Sequence, residues 1–167
     1  LEALSFVNAE KGVASAKEAL AGARDIMAEW MSEDAEARLR MRSLFQSQGV
    51  LRSVAATGKE DDKFRDYQDW SEPIARASPH RLLAMLRGVK TGALSLHLAP
   101  AEEDGVAVLE ELFIKGNSQA SGQVMQAAED AYRRLLGPSM ENETLATARA
   151  HAEEKAIEVF SESACAQ

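Results

Sequence analysis

Three histidines, one cysteine and many carboxylates are the residues whose types could perform catalysis or bind a metal in this chain. A di-iron site in a helical protein needs Glu-x-x-His twice, but no glutamate stands three residues before His80, His97 or His151. The glycine-rich phosphate loop and the H-E-x-x-H, C-x-x-C and G-x-S-x-G motifs are also absent from the sequence. We therefore predict no catalytic residues, no metal and no cofactor.

Three weaker arrangements have ordinary structural explanations. His151 and Glu154 lie one helical turn apart, but a single pair of this kind usually belongs to a solvated helix face rather than to a metal site. Acids 60–62 lack the alternating ligands and central glycine of a calcium loop, which favours a solvated loop. Cys165 has no evident histidine partner for nucleophilic chemistry and, as the single cysteine, forms no internal disulfide.

Basic residues are concentrated in one part of an otherwise acidic chain. The net charge is −8, yet residues 37–90 contain eleven basic residues and six acids, which gives +5 there and −13 elsewhere. Because nucleic-acid affinity comes largely from neutralising phosphates, this region is a candidate nucleic-acid interface. The candidate residues are Arg38, Arg40, Arg42, Arg52, Lys59, Arg81, Arg87 and Lys90.

Ordinary surface arginines are the alternative explanation of this basic region. Arg38, Arg40 and Arg42 are spaced by two residues, so they do not share one helix face. The acidic remainder of the chain also repels phosphate. We therefore expect the isolated chain to bind RNA or DNA weakly.

Three aromatic residues follow acids 60–62, and each is three positions from the next. Phe64, Tyr67 and Trp70 could form a platform on which bases stack. Alternatively, these side chains pin the loop to the hydrophobic core, and this is the interpretation that we favour.

Strong helix formers dominate the sequence, while aromatic residues make up only 5% of it. We predict a mainly α fold, a bundle of about six helices with at most one small two-stranded β element. Helices are expected to begin at the capping box Ser15 to Glu18, at Ser32, at Ser78-Pro79 and at Asn142. Their expected ends include Gly49, Gly88, Gly116 and the pair Gly137-Pro138. The predicted helical ranges are 15–31, 32–49, 78–88, 106–115, 118–136 and 142 onwards.

A short strand is predicted at 93–98, where Leu94, Leu96 and Leu98 alternate with polar residues. A strand needs a partner, and Val50 to Ala55 is the best candidate. Residues 58–63 are polar with a leading glycine and predict a loop.

The length of 167 residues suits one compact unit or two small ones, which we divide into residues 1–100 and 101–167. No apolar run approaches the length of a membrane span, and no leader pattern opens the chain. We therefore expect a soluble, cytoplasmic protein that is monomeric by itself. The chain opens without methionine and stops on a helical pattern, so we expect it to be part of a longer polypeptide.

An ordered series of short motifs resembles the N-terminal region of the bacterial Tex family. The first five matches are Phe6-Val-Asn-Ala-Glu-Lys-Gly-Val13, Ala19-Leu-Ala-Gly-Ala-Arg-Asp-Ile26, Gly58-Lys-Glu60 with Lys63-Phe-Arg-Asp-Tyr67, Ser71-Glu-Pro73 and Ser78-Pro-His-Arg81. Three more follow: Leu86-Arg-Gly88, Gly92-Ala-Leu-Ser-Leu96 and Glu154-Lys-Ala-Ile-Glu-Val-Phe160. The likeness is dense from about residue 6 to 98, returns at 152–160 and is thin at 100–143.

The resemblance implies a multidomain, nucleic-acid-binding transcription accessory protein. Residues 1–100 would be a helical N-terminal region, and residues 101–167 would lead towards an RNase H-like domain. The RNA contacts known for the family lie in an OB-fold domain outside this chain, so the resemblance implies a scaffold here. Partners would be RNA or DNA through the whole protein, together with transcription machinery. An alternative is an acidic interaction module that docks a basic partner.

Overall fold

The structure is a computed structural model of the chain. It describes the backbone of residues 2–56, 62–114 and 119–165, and the side chains of 9–56, 62–114 and 121–163. The helices are α1 (Glu2–Glu33), α2 (Ala35–Gln48), α3 (Pro79–Lys90), α4 (Glu102–Phe113), α5 (Gln119–Asp130) and α6 (Gly137–Cys165). The strands are β1 (Val50–Ala55), β2 (Asp69–Pro73) and β3 (Leu94–Ala99). Short 3₁₀ helices cover Asp62–Tyr67 and Ile74–Arg76, and a π-helical segment covers Ala131–Leu136.

The prediction of a mainly helical fold is confirmed, but the sheet has three strands rather than two. Its order is β2-β1-β3 and both pairings are antiparallel, so the predicted pairing of β1 with β3 is confirmed. Strand β2 was not predicted, because Asp69-Trp-Ser-Glu-Pro73 contains few strand formers and a proline. Proline is tolerated on an edge strand, where its missing N–H faces outward.

One face of the sheet packs into the core. Leu51 and Ser53 of β1 and Leu98 of β3 are buried, while Arg52 and His97 point to solvent on the other face. The Ser53 hydroxyl donates to the carbonyl oxygen of Tyr67 at 2.6 Å, which satisfies this buried polar group.

The first two predicted helix starts were wrong. Helix α1 runs through the Ser15 capping box, because the preceding residues are themselves helical and already occupy the amides that a cap would satisfy. Helix α2 is capped by Asp34 rather than Ser32: the Asp34 carboxylate accepts from the Ala37 N–H at 2.9 Å. The Ser32 hydroxyl donates back to the Glu29 carbonyl at 2.7 Å instead.

Ser78 caps α3 and Pro79 opens it, as predicted. The predicted end at Gly88 was wrong, since the helix continues to Lys90. Gly88 is buried, and a Cβ there would lie 2.5 Å from the Leu94 side chain, so this glycine permits close packing. The turn after the helix is made by Gly92, whose φ of 82° favours glycine.

The predicted break at Gly137-Pro138 and the predicted cap at Asn142 were also wrong. Helix α5, the π-helical segment and α6 follow one another without interruption, about 70 Å at 1.5 Å per residue. We call this continuous helix the spine. A proline in a helix crowds the carbonyl four residues earlier and lacks the N–H that would bond it. The wider π turn before Pro138, where the Gly137 N–H reaches the Tyr132 carbonyl, relieves both costs.

The other elements pack along the spine. Helix α1 contacts α5 and the π-helical segment, α2 contacts α4 and α6, and α3 contacts α6 and β3. The largest fully buried side chains are Met41, Phe45, Leu51, Met85, Leu98, Leu109, Leu136 and Met140. Elements from both sides of residue 100 therefore share one core, while the division into 1–100 and 101–167 stays a prediction.

Candidate nucleic-acid interface

Helix α2 carries three of the predicted basic residues, and two of them contact the spine. The Arg42 guanidinium donates from Nε and Nη2 to the two carboxylate oxygens of Glu143 at 2.8 and 3.0 Å. Arg38 donates to the Ser32 carbonyl at 3.1 Å and to the Ser139 hydroxyl at 3.3 Å. Arg38 thereby satisfies a carbonyl at the end of α1 and ties it to the start of α6.

The Arg42–Glu143 pair is bidentate, a geometry that strengthens ion pairs between arginine and carboxylate. The hydrogen bond from Arg42 holds the pKa of Glu143 below its ordinary value, and the same bond raises the pKa of Arg42. Arg40, on the same helix, reaches Glu36 at 3.2 Å and Glu111 of α4 at 3.3 Å. All three arginines of α2 therefore contact a neighbouring element.

Arg52 and Arg81 lie beside strand β2. Arg81 donates to both carboxylate oxygens of Glu72 at 2.9 and 3.3 Å, and its guanidinium lies 5.7 Å from the Trp70 ring centroid. The Glu72 side chain is only 10% exposed, and its hydrogen bond raises the pKa of Arg81. Arg52 approaches Asp69 at 3.9 Å, but both side chains are exposed, so this pair is weak.

Arg87 and Lys90 differ from the other candidates. Both lie exposed in the last turn of α3, and neither side chain has a hydrogen bond or ion pair with a described residue. They flank a groove against α6 that is also lined by Arg149 and Glu153, which pair with each other at 3.1 Å. Lys59, the remaining candidate, lies outside the described residues.

The structure thus brings together only part of the predicted set. Arg38, Arg40 and Arg42 turn toward α1, α4 and the start of α6, whereas Arg52 and Arg81 turn toward β2. Only Arg87 and Lys90 line one groove with their charges unpaired within the described part of the chain. Sequence reasoning missed Arg149, because its position beside α3 depends on the packing of α6.

The three aromatic residues of the segment 64–70 pack against the core. Phe64 is buried, and the half-buried rings of Tyr67 and Trp70 pack edge to face with centroids 6.2 Å apart. The favoured interpretation, that they pin this segment to the core, agrees with these contacts.

Neither a metal cluster nor a membrane span is found among the described residues. No three of their histidine, cysteine and carboxylate side chains lie close enough to hold a metal ion. None of their helices is both long and apolar enough to cross a bilayer.

Comparison with known proteins agrees with the resemblance read from the motifs. The Tex central region-like family matches residues 1–160. The chain is 34% identical to the uncharacterized protein YdcI of Bacillus subtilis and 35% identical to protein YhgF of Escherichia coli. These matches cover 94% and 95% of the chain. In both relatives the chain spans only 22% of the protein.

A further relative carries a functional name. The transcriptional accessory protein Tex of Neisseria gonorrhoeae is 36% identical over 96 residues, which cover 56% of the chain and 13% of that protein. The Tex central region-like family matches nearly the whole chain, and this match confirms the resemblance. This chain therefore belongs to the Tex family, as a segment like its central region.

Proposed function

We propose that this chain is a non-catalytic helical scaffold within a Tex-like transcription accessory protein that binds nucleic acid mainly through other parts. The name of the Neisseria relative supports a role in transcription. The whole protein would act in the cytoplasm, with RNA or DNA and transcription machinery as partners.

The internal ion pairs of the basic residues are the main support for this proposal. Arg40, Arg42 and Arg81 each form an ion pair with a carboxylate of a different element. The pairs of Arg42 and Arg81 are bidentate and link α2 to α6 and α3 to β2, whereas the pair of Arg40 is more exposed. A guanidinium already engaged by a carboxylate has to give up those hydrogen bonds before it can contact phosphate. The presence of Arg40, Arg42 and Arg81 in residues 37–90 is therefore explained by internal ion pairs.

Cations that form no ion pair or hydrogen bond within the described structure remain available to contact phosphate. Arg87 and Lys90 meet this condition among the candidates whose side chains are described. Two cations on a chain of net charge −8 give no long-range attraction for a polyanion. We therefore expect weak, sequence-independent and salt-sensitive binding.

Fluorescence anisotropy with a labelled single-stranded RNA tests the proposal. We expect the isolated chain to show measurable binding at about 20 mM salt and none at about 150 mM, since few phosphates are neutralised. A complete Tex-family protein that contains this segment should bind far more tightly at both salt concentrations. Tight, salt-resistant or sequence-selective binding by the isolated chain would contradict the scaffold assignment.

One observation favours a second function, an interaction module for a basic partner. An open cleft between α4 and the spine is lined by four carboxylates, those of Glu102, Glu103, Glu110 and Glu129, and by the single cation Arg133. Arg133 is already bonded to Glu102. A lysine-rich peptide that shifts the NMR signals of α4 would support this alternative, and reversal of Glu103 and Glu110 to lysine should abolish the shift.

A further inference from the structure

Beyond the scaffold role, we propose that the groove between α3 and α6 binds an amphipathic helix with acidic flanks that is supplied by a partner protein. This groove has a basic rim, whereas the cleft between α4 and the spine is acidic. Its partner would place apolar side chains on the groove floor and carboxylates against the basic rim.

The groove has an apolar floor. The larger part of the groove has a volume of about 580 Å³ and lies between the C-terminal half of α3 and the middle of α6. A second part continues along α6 and shares Leu86, Arg149 and Glu153 with the first. Val89, which is 39% exposed, contributes apolar surface that a ligand in the groove could cover. The apolar lining consists of Leu83, Leu86, Val89, Leu145, Ala146 and Ala150.

The dimensions suit a short helix. Leu145 and Glu153 are separated along α6 by roughly 12 Å at 1.5 Å per residue, which corresponds to about two helical turns. Helices that bind such grooves present anchors at positions i, i+3 or i+4, and i+7, which also span two turns. The groove therefore has the length needed for three anchoring side chains.

The rim supplies the charge complementarity. Arg87, Lys90 and Arg149 lie along it, against the single carboxylate of Glu153. Arg149 is neutralised by Glu153 at 3.1 Å, while Arg87 and Lys90 have no side-chain partner among the described residues. The groove is thus a locally positive site on a chain of net charge −8, and it favours an acidic ligand.

The apolar lining of the groove favours a peptide over a nucleic acid as the ligand. Single-stranded nucleic acids combine phosphate contacts with bases stacked on aromatic side chains, and the groove lining contains no aromatic residue. A phosphate backbone would contact Arg87 and Lys90 but leave Leu83, Leu86 and Val89 uncovered. An amphipathic acidic helix covers both the floor and the rim.

The test uses the complete 167-residue chain and a designed 16-residue peptide with blocked ends. The peptide carries leucines at i, i+3, i+4 and i+7 and glutamates at most other positions. We expect ¹⁵N-labelled chain to show shifts confined to α3 and to α6 between Leu145 and Glu153. Two control peptides replace the leucines by serine or the glutamates by lysine, and neither should shift the signals of α3 or of α6 between Leu145 and Glu153.

Charge reversal in the chain provides the matched control. R87E/K90E should weaken peptide binding by roughly tenfold or more, because two attractions become repulsions. K11E/K17E changes the net charge equally at exposed lysines of α1 and should leave binding unchanged. Unchanged spectra with the acidic peptide, equal binding by the serine peptide, or equal loss in both variants would overturn the proposal. So would a single-stranded RNA that causes the same shifts at about 150 mM salt.

Discussion

Two regions of this protein hold similar basic residues in opposite circumstances. At the junction of α2 with the spine, Arg42 is bonded to Glu143, close to a packed core in which Phe45 and Tyr132 have ring centroids 6.4 Å apart. At the groove between α3 and α6, Arg87 and Lys90 are exposed and unpaired within the described structure. Residue type and local charge density therefore do not reveal what a cation does. Its tertiary neighbours decide whether it stabilises the fold or remains available to a ligand.

Truncation of an apolar side chain should separate the two regions most clearly. Phe45 is fully buried at the junction, so Phe45→Ala leaves a cavity and should lower the free energy of unfolding by about 3–5 kcal/mol. Val89→Ala removes a partly exposed side chain at the groove and should cost less than about 1 kcal/mol. Urea unfolding followed by circular dichroism measures both. Equal losses would contradict the contrast between the regions.

A glycine of α4 that packs against Tyr132 of the spine should give the next largest effect. A Cβ at Gly105 would lie 2.2 Å from the Tyr132 ring, so Gly105→Ala should cost about 1–3 kcal/mol through overpacking. Apart from the local backbone of its own helix, no described atom lies within 4 Å of a Cβ added at Gly122 of α5. Gly122→Ala should therefore stabilise the protein, by up to about 1 kcal/mol from helix propensity. Thermal unfolding of the two variants should shift in opposite directions, and a destabilised Gly122→Ala would disprove the packing argument.

Removal of the junction carboxylate should give a smaller loss that depends on pH. Because Arg42 lowers the pKa of Glu143, the ionised pair stabilises the folded state above the unfolded glutamate pKa of about 4.3. That contribution is lost as the pH falls through the lower folded pKa. Wild type should therefore be more stable than Glu143→Gln at pH 7, and the difference should shrink below about pH 4.

The surface pair of the groove is the matched control for that measurement. Arg149 and Glu153 form an exposed pair within one helix, at 3.1 Å. Glu153→Gln should change stability too little to measure, because exposed pairs of this kind contribute little. A pH-dependent loss in Glu153→Gln as large as that in Glu143→Gln would show that tertiary placement gives the junction pair no advantage.

Neutralisation of the groove cations should have the smallest effect on stability. The double variant Arg87→Gln/Lys90→Gln removes two charges that form no hydrogen bond or ion pair with described residues. The free energy of unfolding should therefore stay within about 0.5 kcal/mol of wild type. The change should instead appear in ligand binding at the groove. A substantial stability loss in chemical denaturation would mean that these side chains do support the fold.

Much of the fold follows from local sequence. The alternation around Leu94, Leu96 and Leu98 located β3, and Ser78-Pro79 located the start of α3, because these patterns act over a few residues. Strand β2 was missed because its residues are poor strand formers that pairing with β1 holds in place. Pro138 was misread as a break, since the π turn that accommodates it leaves no local signal.

The amino-acid sequence alone was enough to predict the helical composition, most element positions and the resemblance to the Tex family. It also placed the basic residues in one part of the chain. The tertiary structure decided which of them are engaged: Arg42 meets a carboxylate 101 positions away, and Arg87 and Lys90 meet none among the described residues. Helix propensity and capping depend on neighbours within a turn, whereas an ion pair between elements depends on how those elements pack.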